Sequence, residues 1–411
     1  MSKASEILVD LSEMVVAIEH AVDLVGMNDT NHGKRVGYIA MQIADFLGFS
    51  PEEKLFVFEL GLLHDCGVSS DSVHNYLVKE FDWEESSKHC EIGYNLLKDF
   101  QPLSALAVPI RYHHAHWNKL KTMDISDKDK RLANLTYLSD RVDASSARYY
   151  GREILLHKAE IDKVISDKKD KYFDPELVEA FLSVSGPEAF WISLEDRHIN
   201  RFAWETSNQR HAEKLNLQDL KQLARIFSYI VDQKSPFTAQ HSYGVARLAR
   251  ALAGKLDFQA DELDIIEVAG YLHDIGKLHV PDSILEKPGP LSTFERSVMN
   301  QHSYETYEIL KPIKGLEEIA KYAAYHHENC IGTGYPFHLS TSEIPLPAKI
   351  IAVSDVFQAL VQDRPYRKGM NVDQVVKIIK EMADDSKLDR DVVDMAVRDS
   401  EQCFMIARGE E

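Results

Sequence analysis

The sequence contains few cysteines and lacks the signals that direct a chain into or across a membrane. Its four cysteines, Cys66, Cys90, Cys330 and Cys403, include no CxxC pair, so the sequence predicts no disulfide framework. The first residues lack the basic stretch followed by an apolar stretch that is typical of a signal peptide. No apolar run approaches the roughly 20 residues that span a bilayer. We therefore expect a cytoplasmic protein that has no membrane partner.

Basic residues are outnumbered by acidic ones. The 411-residue chain has 47 lysines and arginines against 66 aspartates and glutamates, which gives a formal net charge of −19. This acidity argues against DNA or RNA as a partner, because a polyanion binds a basic surface. It does not exclude a small anionic substrate, since bound metal ions and a few basic side chains can reverse the local field.

Alternating strand patterns are nearly absent, whereas apolar residues recur at helical spacing along most of the chain. Ser292 and Glu295 form a predicted capping box at one helix start. The length suffices for two domains. We predict an all-α fold with two tandem helical-bundle domains, residues 1–200 and 201–411, connected within residues 185–216. The predicted helices cover residues 4–25, 32–47, 52–64, 85–99, 130–147, 217–231, 239–255, 262–273, 293–310, 316–326 and 348–361.

The two halves carry the same ordered series of metal-binding residue types. Each half has a lone His, a His-Asp pair, another His, a His-His pair and a final Asp. Two of the gaps are equal in the two halves: 32 residues from the lone His to the His-Asp pair, and 24 from the next His to the His-His pair. This match predicts duplication of one helical domain. The first series is His32, His64, Asp65, His89, His113, His114 and Asp140, and the second is His241, His273, Asp274, His302, His326, His327 and Asp355.

These residue types indicate a metal site. Neutral imidazole and carboxylate are ligands for manganese, iron and zinc. The candidates lie near the ends of several predicted helices, so they converge only if the helices bundle around them. A single His in a helical protein is usually a surface or core residue, and the prediction therefore depends on the whole series occurring twice. The second series suits two ions with open positions for water and substrate, and the first series is a possible second metal site.

The motifs in the second half resemble the HD-GYP family of HD metal-dependent phosphohydrolases. They include AGYLHDIGKLHVPDSILEKPGPLS, AAYHHENCIGTGYP and IPLPAKIIAVSDVFQALVQDRPYR, and the resemblance covers about residues 217–368. It implies an HD-type fold and hydrolysis of cyclic di-GMP, of 3′,3′-cyclic GMP-AMP or of both. It also assigns the second series as metal ligands, with Asp274 bridging two ions. Lys277 takes the family's lysine position, and Tyr335, Arg364 and Arg367 take substrate-binding positions.

The second half departs from the family pattern at four positions. Phe237 stands where three-metal members have a ligand Glu, so we expect two metal ions. Ile331 replaces an Asp before the GYP loop, Asn329 replaces a basic residue after HHE, and Ser235 replaces an Asp before the first His. These changes leave substrate preference open.

The first half resembles the family more weakly. It keeps the ligand series, but Val68 stands where the second half has Lys277, and no GYP motif follows His113 and His114. We therefore expect a degenerate HD-type domain that is catalytically silent and has a regulatory or structural role, with or without bound metal.

The expected reaction is metal-dependent hydrolysis of a cyclic dinucleotide to a linear dinucleotide. Two divalent ions would convert a bridging water to hydroxide, and Asp274 and Lys277 are the candidate catalytic residues. Lys277 would stabilise charge or protonate the leaving 3′-oxygen. We expect iron or manganese, with nickel, cobalt or zinc as alternatives, and we allow for a homodimer. The alternatives are an HD-type nucleotidase or dNTP phosphohydrolase, and a non-catalytic module that binds cyclic dinucleotides.

Overall fold

The computed structural model describes residues 8–25, 31–68, 70–71, 73, 81, 86–207, 214–234, 240–363 and 368–410. These residues are mostly helical, and their paired strands are β1 (Val9–Asp10) and β2 (Lys214–Leu215), which run antiparallel. The predicted all-α class is confirmed. None of the helices described is both long enough and apolar enough to cross a membrane.

The chain divides into two compact units. The first unit is Leu11–Glu213, and the second unit combines Met1–Asp10 with Lys214–Glu411. Strand β1 belongs to the second unit because it pairs with β2, which comes directly before the first helix of that unit.

The first unit contains the first metal-ligand series. Its helices are α1 (Leu11–Asp23), α2 (His32–Phe46), α3 (Pro51–Leu63), α4 (Ser87–Leu97), α5 (Ser104–Tyr112), α6 (Trp117–Leu120), α7 (Asp127–Ser146), α8 (Ile154–Ser166), α9 (Pro175–Val184), α10 (Glu188–Ile192) and α11 (Asp196–Ser207), with a 3₁₀ turn at Ala147–Tyr149.

The second unit contains the second series. Its helices are α12 (Leu217–Lys234), α13 (His241–Ala253), α14 (Ala260–Leu272), α15 (Asp282–Leu285), α16 (Thr293–Met299), α17 (Gln301–Leu310), α18 (Glu317–Ala324), α19 (Leu346–Val361), α20 (Val372–Asp384), α21 (Arg390–Arg398) and α22 (Ser400–Arg408), with 3₁₀ turns at Ile275–His279 and Tyr325–His327.

Most predicted helices are present, with shifted ends that have local causes. The predicted capping box is confirmed, because the Ser292 hydroxyl accepts from the Glu295 backbone N–H and the Glu295 carboxylate accepts from the Ser292 N–H. Of the predicted helix 4–25, residues 4–7 lie outside the described residues, and α1 begins at Leu11 because Val9 and Asp10 form β1.

Two further predicted helices end or break at histidines that are candidate metal ligands. The predicted helix 293–310 is divided into α16 and α17 at Asn300, where the Met299 carbonyl accepts a hydrogen bond from the His302 ring. The predicted helix 316–326 begins at Glu317 and ends at Ala324, and the His-His pair follows in a 3₁₀ turn.

A close helix crossing brings the first two histidines of each series together. In the first unit, a Cβ atom on Gly61 would lie 2.4 Å from the Cα atom of Gly37, so α2 and α3 cross with almost no side chain between them. In the second unit, a Cβ atom on Gly270 would lie 2.7 Å from the Cα atom of Ala246 in α13. The crossings place His32 beside His64 and His241 beside His273, with ring centroids 5.1 Å and 5.6 Å apart.

We expect Gly61→Ala to lower the free energy of unfolding by about 1–3 kcal/mol, the usual cost of an extra methyl group in a tightly packed core. Urea denaturation followed by circular dichroism measures this change. The matched control is Gly186→Ala in the same unit, where the added Cβ would have its nearest neighbour at 3.7 Å. If both variants are as stable as the wild type, the tight crossing does not constrain the fold.

Candidate metal centre

The structure brings all seven residues of the second series together. The first ligand begins α13, the His-Asp pair follows α14, and the His-His pair lies in the 3₁₀ turn after α18. The remaining two ligands come from the first turn of α17 and from the middle of α19. The residues are His241, His273, Asp274, His302, His326, His327 and Asp355.

Asp274 lies at the middle of this centre, and its two oxygens face different histidines. The Oδ2 atom lies 3.2 Å from Nε2 of His273 and 3.8 Å from Nε2 of His241. The Oδ1 atom lies 3.5 Å from Nε2 of His302 and 3.8 Å from Nε2 of His326. One carboxylate therefore faces two groups of candidate ligands, an arrangement that would allow it to contact two ions.

Backbone carbonyls fix the orientation of three of the rings. The Nδ1 atom of His273 lies 2.8 Å from the Gly270 carbonyl, and the corresponding distances for His302 and His326, to Met299 and Ala323, are both 2.7 Å. A carbonyl can only accept, so Nδ1 must carry the hydrogen, and the Nε2 lone pair faces the centre.

The donor atoms fit a divalent cation. Nε2 of His273 and Oδ1 of Asp274 are buried and have no hydrogen-bond partner among the described residues. Orphaned buried polar atoms are costly. Both are atoms that a divalent transition metal would bind, and bound ions would satisfy them.

The electrostatics of the centre favour the neutral form of three histidines and the ionised form of Asp274. Burial lowers the pKa of His302 to about 3 and that of His327 to about 4, and it holds the pKa of His326 well below its usual value. Burial opposes ionisation of Asp274, but His273 and Lys277 keep its pKa well below the usual range. These are the protonation states that metal ligands require.

His273 is the exception in this set. Burial alone would lower the pKa of its ring, but the adjacent Asp274 carboxylate raises it. A cation bound beside Asp274 would compensate the same negative charge and so remove the cause of the raised pKa.

Lys277 and Tyr335 both lie at the centre. Lys277 is in the 3₁₀ turn that follows Asp274, and its Nζ atom donates to Oδ2 of that carboxylate. The ring of Tyr335 lies 4.8 Å from the ring of His327, measured between centroids. Burial, together with the charge of Asp355, raises the pKa of Tyr335, so its phenol remains a hydrogen-bond donor at neutral pH.

The loop that carries Tyr335 is held by the residues that follow the His-His pair. The buried carboxylate of Glu328 accepts from the backbone N–H groups of Phe337 and Leu339, at 2.7 Å and 3.0 Å. The Asn329 side chain, which departs from the family pattern, accepts from two further N–H groups in the loop. A Cβ atom on Gly334 would lie 2.4 Å from the Cα atom of Glu328, so this position requires glycine.

Four residues singled out in the sequence lie outside the described residues. They are the two substrate-binding candidates Arg364 and Arg367, and the departures Phe237 and Ser235.

Sequence reasoning missed Asp232 and Gln362, which support His241. The Asp232 carboxylate accepts from the backbone N–H and the hydroxyl of Ser242, and so caps the start of α13. The Gln362 side-chain oxygen lies 3.3 Å from Nδ1 of His241. Asp232 had a detectable signal, because an Asp stands nine residues before the first ligand His in both halves, at Asp23 and Asp232.

The first series converges in the same way around Asp65. Its Oδ2 atom lies 3.6 Å from Nε2 of His64, and its Oδ1 atom lies 3.2 Å from Nε2 of His89 and 3.6 Å from Nε2 of His113. The buried guanidinium of Arg141 contacts both oxygens of Asp140, a pairing with no counterpart in the part of the second unit that the structure describes. The other two members are also near, since Nε2 of His32 lies 3.5 Å, and Nε2 of His114 3.9 Å, from an oxygen of Asp140.

Comparison with known families matches both units. Residues 30–145 and residues 225–392 each match a family model described as an HD domain.

Individual relatives extend the match to nearly the whole chain. The chain is 36% identical to 3′3′-cGAMP-specific phosphodiesterase 1 of Vibrio cholerae, over 98% of this chain and 94% of that protein. It is also 36% identical to the cyclic di-GMP phosphodiesterase response regulator RpfG of Xanthomonas campestris, over 44% of this chain and 46% of that protein. The chain therefore belongs to the HD-domain family of cyclic dinucleotide phosphodiesterases, which are metal-dependent enzymes.

A solved structure supports the same assignment. The crystal structure of a cyclic GMP-AMP specific phosphodiesterase of Vibrio cholerae, V-cGAP3, matches with a TM-score of 0.65 and 25% identity, over 96% of this chain and 98% of that chain.

We expect Asp274→Asn to lower the metal content of the purified protein, because an amide removes the charge that one carboxylate presents to both ligand groups. Elemental analysis of the intact chain measures this content. Asp261→Asn, on the exposed first turn of α14, is the control and should keep the wild-type content. Wild-type metal content in Asp274→Asn would contradict a bridging role.

Proposed function

We propose that this chain hydrolyses a phosphodiester bond of a cyclic dinucleotide at the Asp274 centre and releases the linear dinucleotide. The observation that carries the proposal is the central carboxylate, whose two oxygens each face a separate group of histidines. A two-metal centre of this kind suits hydrolysis of a phosphodiester, because both the attacking and the leaving oxygen carry charge.

Two divalent ions, iron or manganese first, are the cofactors that we propose. His241, His273 and Asp355 would hold one ion, His302, His326 and His327 would hold the other, and Asp274 would contact both. When bound, the ions supply a water activated for attack and a Lewis acid for the phosphate oxygens. The chain's own contribution is to orient three of the ligand rings through their carbonyl contacts, which hold the hydrogen on Nδ1 and turn Nε2 towards the ions.

Lys277 is the proposed proton donor for the leaving 3′-oxygen. Its ammonium group contacts the central carboxylate, and its side chain is partly exposed at 21%, so it borders both the ligands and the solvent-facing side. Tyr335 is proposed to donate its phenol hydrogen to the substrate, because it lies beside His327 on a loop fixed by Glu328. Arg364 and Arg367 are proposed to contact phosphate or guanine on the strength of the sequence motif alone.

3′,3′-cyclic GMP-AMP is the substrate that we propose as preferred over cyclic di-GMP. The support is the near-full-length relative, since it shares both units with this chain and is named for that substrate. The cyclic di-GMP enzyme of Xanthomonas matches over less than half of the chain.

The first unit is proposed to be a catalytically silent regulatory or structural domain. It has Val68 in place of Lys277, so the position of the proposed proton donor is apolar, and Arg141 already pairs with both oxygens of the candidate ligand Asp140. The domain limits at residue 200, the cytoplasmic location, a homodimer and the lack of DNA, RNA or membrane partners remain predictions.

The function is tested by incubating the metal-loaded chain, with manganese and separately with iron, with a panel of nucleotides. The panel contains 3′,3′-cyclic GMP-AMP, cyclic di-GMP, cyclic mononucleotides and dNTPs, and chromatography identifies the products. We expect linear dinucleotides, with the hybrid cleaved fastest. Hydrolysis of dNTPs or mononucleotides without cleavage of either cyclic dinucleotide would overturn the proposal.

We expect Lys277→Ala to keep its metal ions and to slow hydrolysis by about 10²-fold or more, because the loss of a general acid typically costs 10²–10⁴-fold. Single-turnover rates and elemental analysis on the same sample separate loss of chemistry from loss of metal. Turnover equal to that of the wild type would show that Lys277 is only a charged residue at a helix end and has no part in the reaction.

The control for the second unit is a variant of the first. His64→Ala combined with Asp65→Ala should leave most of the activity, because the first unit lacks a proton donor. Loss of activity while the second unit keeps its metal ions would show that the first centre takes part in the reaction.

A further inference from the structure

The first unit has a thiol at a position where the second unit has a hydroxyl. Cys90 follows His89 and is 1% exposed, and Ser303 follows His302 at the matching position. The Cys90 Sγ atom lies 3.6 Å from Nε2 of His89 and 3.6 Å from Nδ1 of His113. The ligand atoms of Cys90, His89, His113 and His114 all lie within 4.8 Å of one another.

The separations that involve Nε2 of His89 match the spacing of ligands around one zinc ion. Zinc binds sulfur at about 2.3 Å and imidazole nitrogen at about 2.0–2.1 Å in a tetrahedral arrangement. Such a geometry puts a sulfur and a nitrogen ligand about 3.5 Å apart, and two nitrogen ligands about 3.3–3.4 Å apart. The observed distances are 3.6 Å from Sγ to Nε2 of His89, and 3.3 Å between the Nε2 atoms of His89 and His113.

A change of hydrogen-bond partner accompanies the thiol. In the second unit, the carbonyl of Met299 accepts from Nδ1 of His302. In the first unit, the matching carbonyl of Ser86 accepts from the Cys90 thiol at 3.3 Å instead. Nδ1 of His89 is then buried with no hydrogen-bond partner among the described residues.

Coordination of a metal ion by Cys90 would allow Nδ1 of His89 to gain a hydrogen-bond partner. When a thiol binds a metal, its proton passes to solvent and a sulfur–metal bond replaces the S–H bond. The Ser86 carbonyl would then be free to accept from Nδ1 of His89, as the Met299 carbonyl does for His302. That hydrogen bond would fix the tautomer in which Nε2 of His89 presents its lone pair to the ion.

The other side of the same centre already contains a cation. The guanidinium of Arg141 is buried and contacts Oδ1 of Asp140 at 3.0 Å and Oδ2 at 2.9 Å. Among the described residues of the second unit, no guanidinium is recorded on Asp355, and its Oδ1 atom lies 3.1 Å from Nε2 of His241. A guanidinium on both oxygens neutralises the carboxylate and opposes a second divalent ion beside His32.

We propose that the first unit binds a single thiophilic divalent ion of the zinc class through His89, Cys90, His113 and His114, and does not assemble a two-metal centre. The ion ties α4 to the end of α5, and it supports the unit rather than catalysing hydrolysis. The assignment stands on first-unit residues alone and does not depend on the substrate of the second unit.

The thiolate ligand is tested by titrating the metal-free full-length chain with cobalt(II). Cobalt bound to a thiolate gives a sulfur-to-metal charge-transfer band in the near ultraviolet. We expect this band in the wild type, with the intensity of one cobalt-bound thiolate per chain once all three proposed sites are filled, and its loss in Cys90→Ser. Cys66→Ser, a buried cysteine of the same unit outside the ligand group, should keep the band. Absence of the band in the wild type, or its survival in Cys90→Ser, overturns the proposal.

The single-ion assignment is tested by metal content, with the cobalt band as an internal check that the first unit is folded. His32→Ala lies on the Arg141 side of the centre and should keep both the band and the wild-type number of ions. His89→Ala should lose the band and one ion per chain. A His32→Ala chain that keeps the band but loses an ion would show that the first unit holds two ions.

Discussion

The fold of the second unit depends on holding the Asp274 carboxylate, which is almost fully buried, among imidazole rings. A buried carboxylate costs several kcal/mol unless cations or donors compensate its charge. Here Lys277 contacts one oxygen, and four histidines lie within 4 Å of one or the other. The histidines come from helices α13, α14 and α17 and from the turn after α18. The charge of Asp274 is therefore compensated only when these elements pack together.

The two units share one arrangement of candidate ligands but differ in the charged residues around it. Three residues after the first ligand His, the first unit has Arg35 and the second has Gly244. The Arg35 guanidinium is buried and bonds the Asp143 carboxylate at 2.7 Å, and the same carboxylate bonds Nδ1 of His32. In the second unit, a Cβ atom on Gly244 would lie 2.3 Å from the side chain of Gln358, which occupies the position of Asp143. Arg35 and Asp143 of the first unit therefore correspond to Gly244 and Gln358 of the second. The first unit has two charged side chains where the second unit has none at these positions.

The sequence predicted the all-α class and the convergence of the candidate ligands. Helical periodicity and a repeated series with equal gaps can both be recognised in a sequence before the packing of the helices is known. It did not predict the division of the helix at Asn300 or the 3₁₀ turn at His326, since both depend on a histidine ring binding a carbonyl in its own turn. Arg141 was missed for a similar reason. A charged residue after an Asp is usually exposed, and only the packed structure directs its guanidinium onto the buried carboxylate.

The contact between ring and carbonyl three residues earlier has a consequence for how the enzyme exchanges its cofactor. Because His273, His302 and His326 are each fixed by a carbonyl of their own turn, the rings need no rotation when an ion arrives or leaves. The entropic cost of arranging the ligands is met during folding, so the reorganisation energy of metal binding is small. A preorganised centre of this kind would bind and release a divalent ion with little rearrangement of its ligand rings.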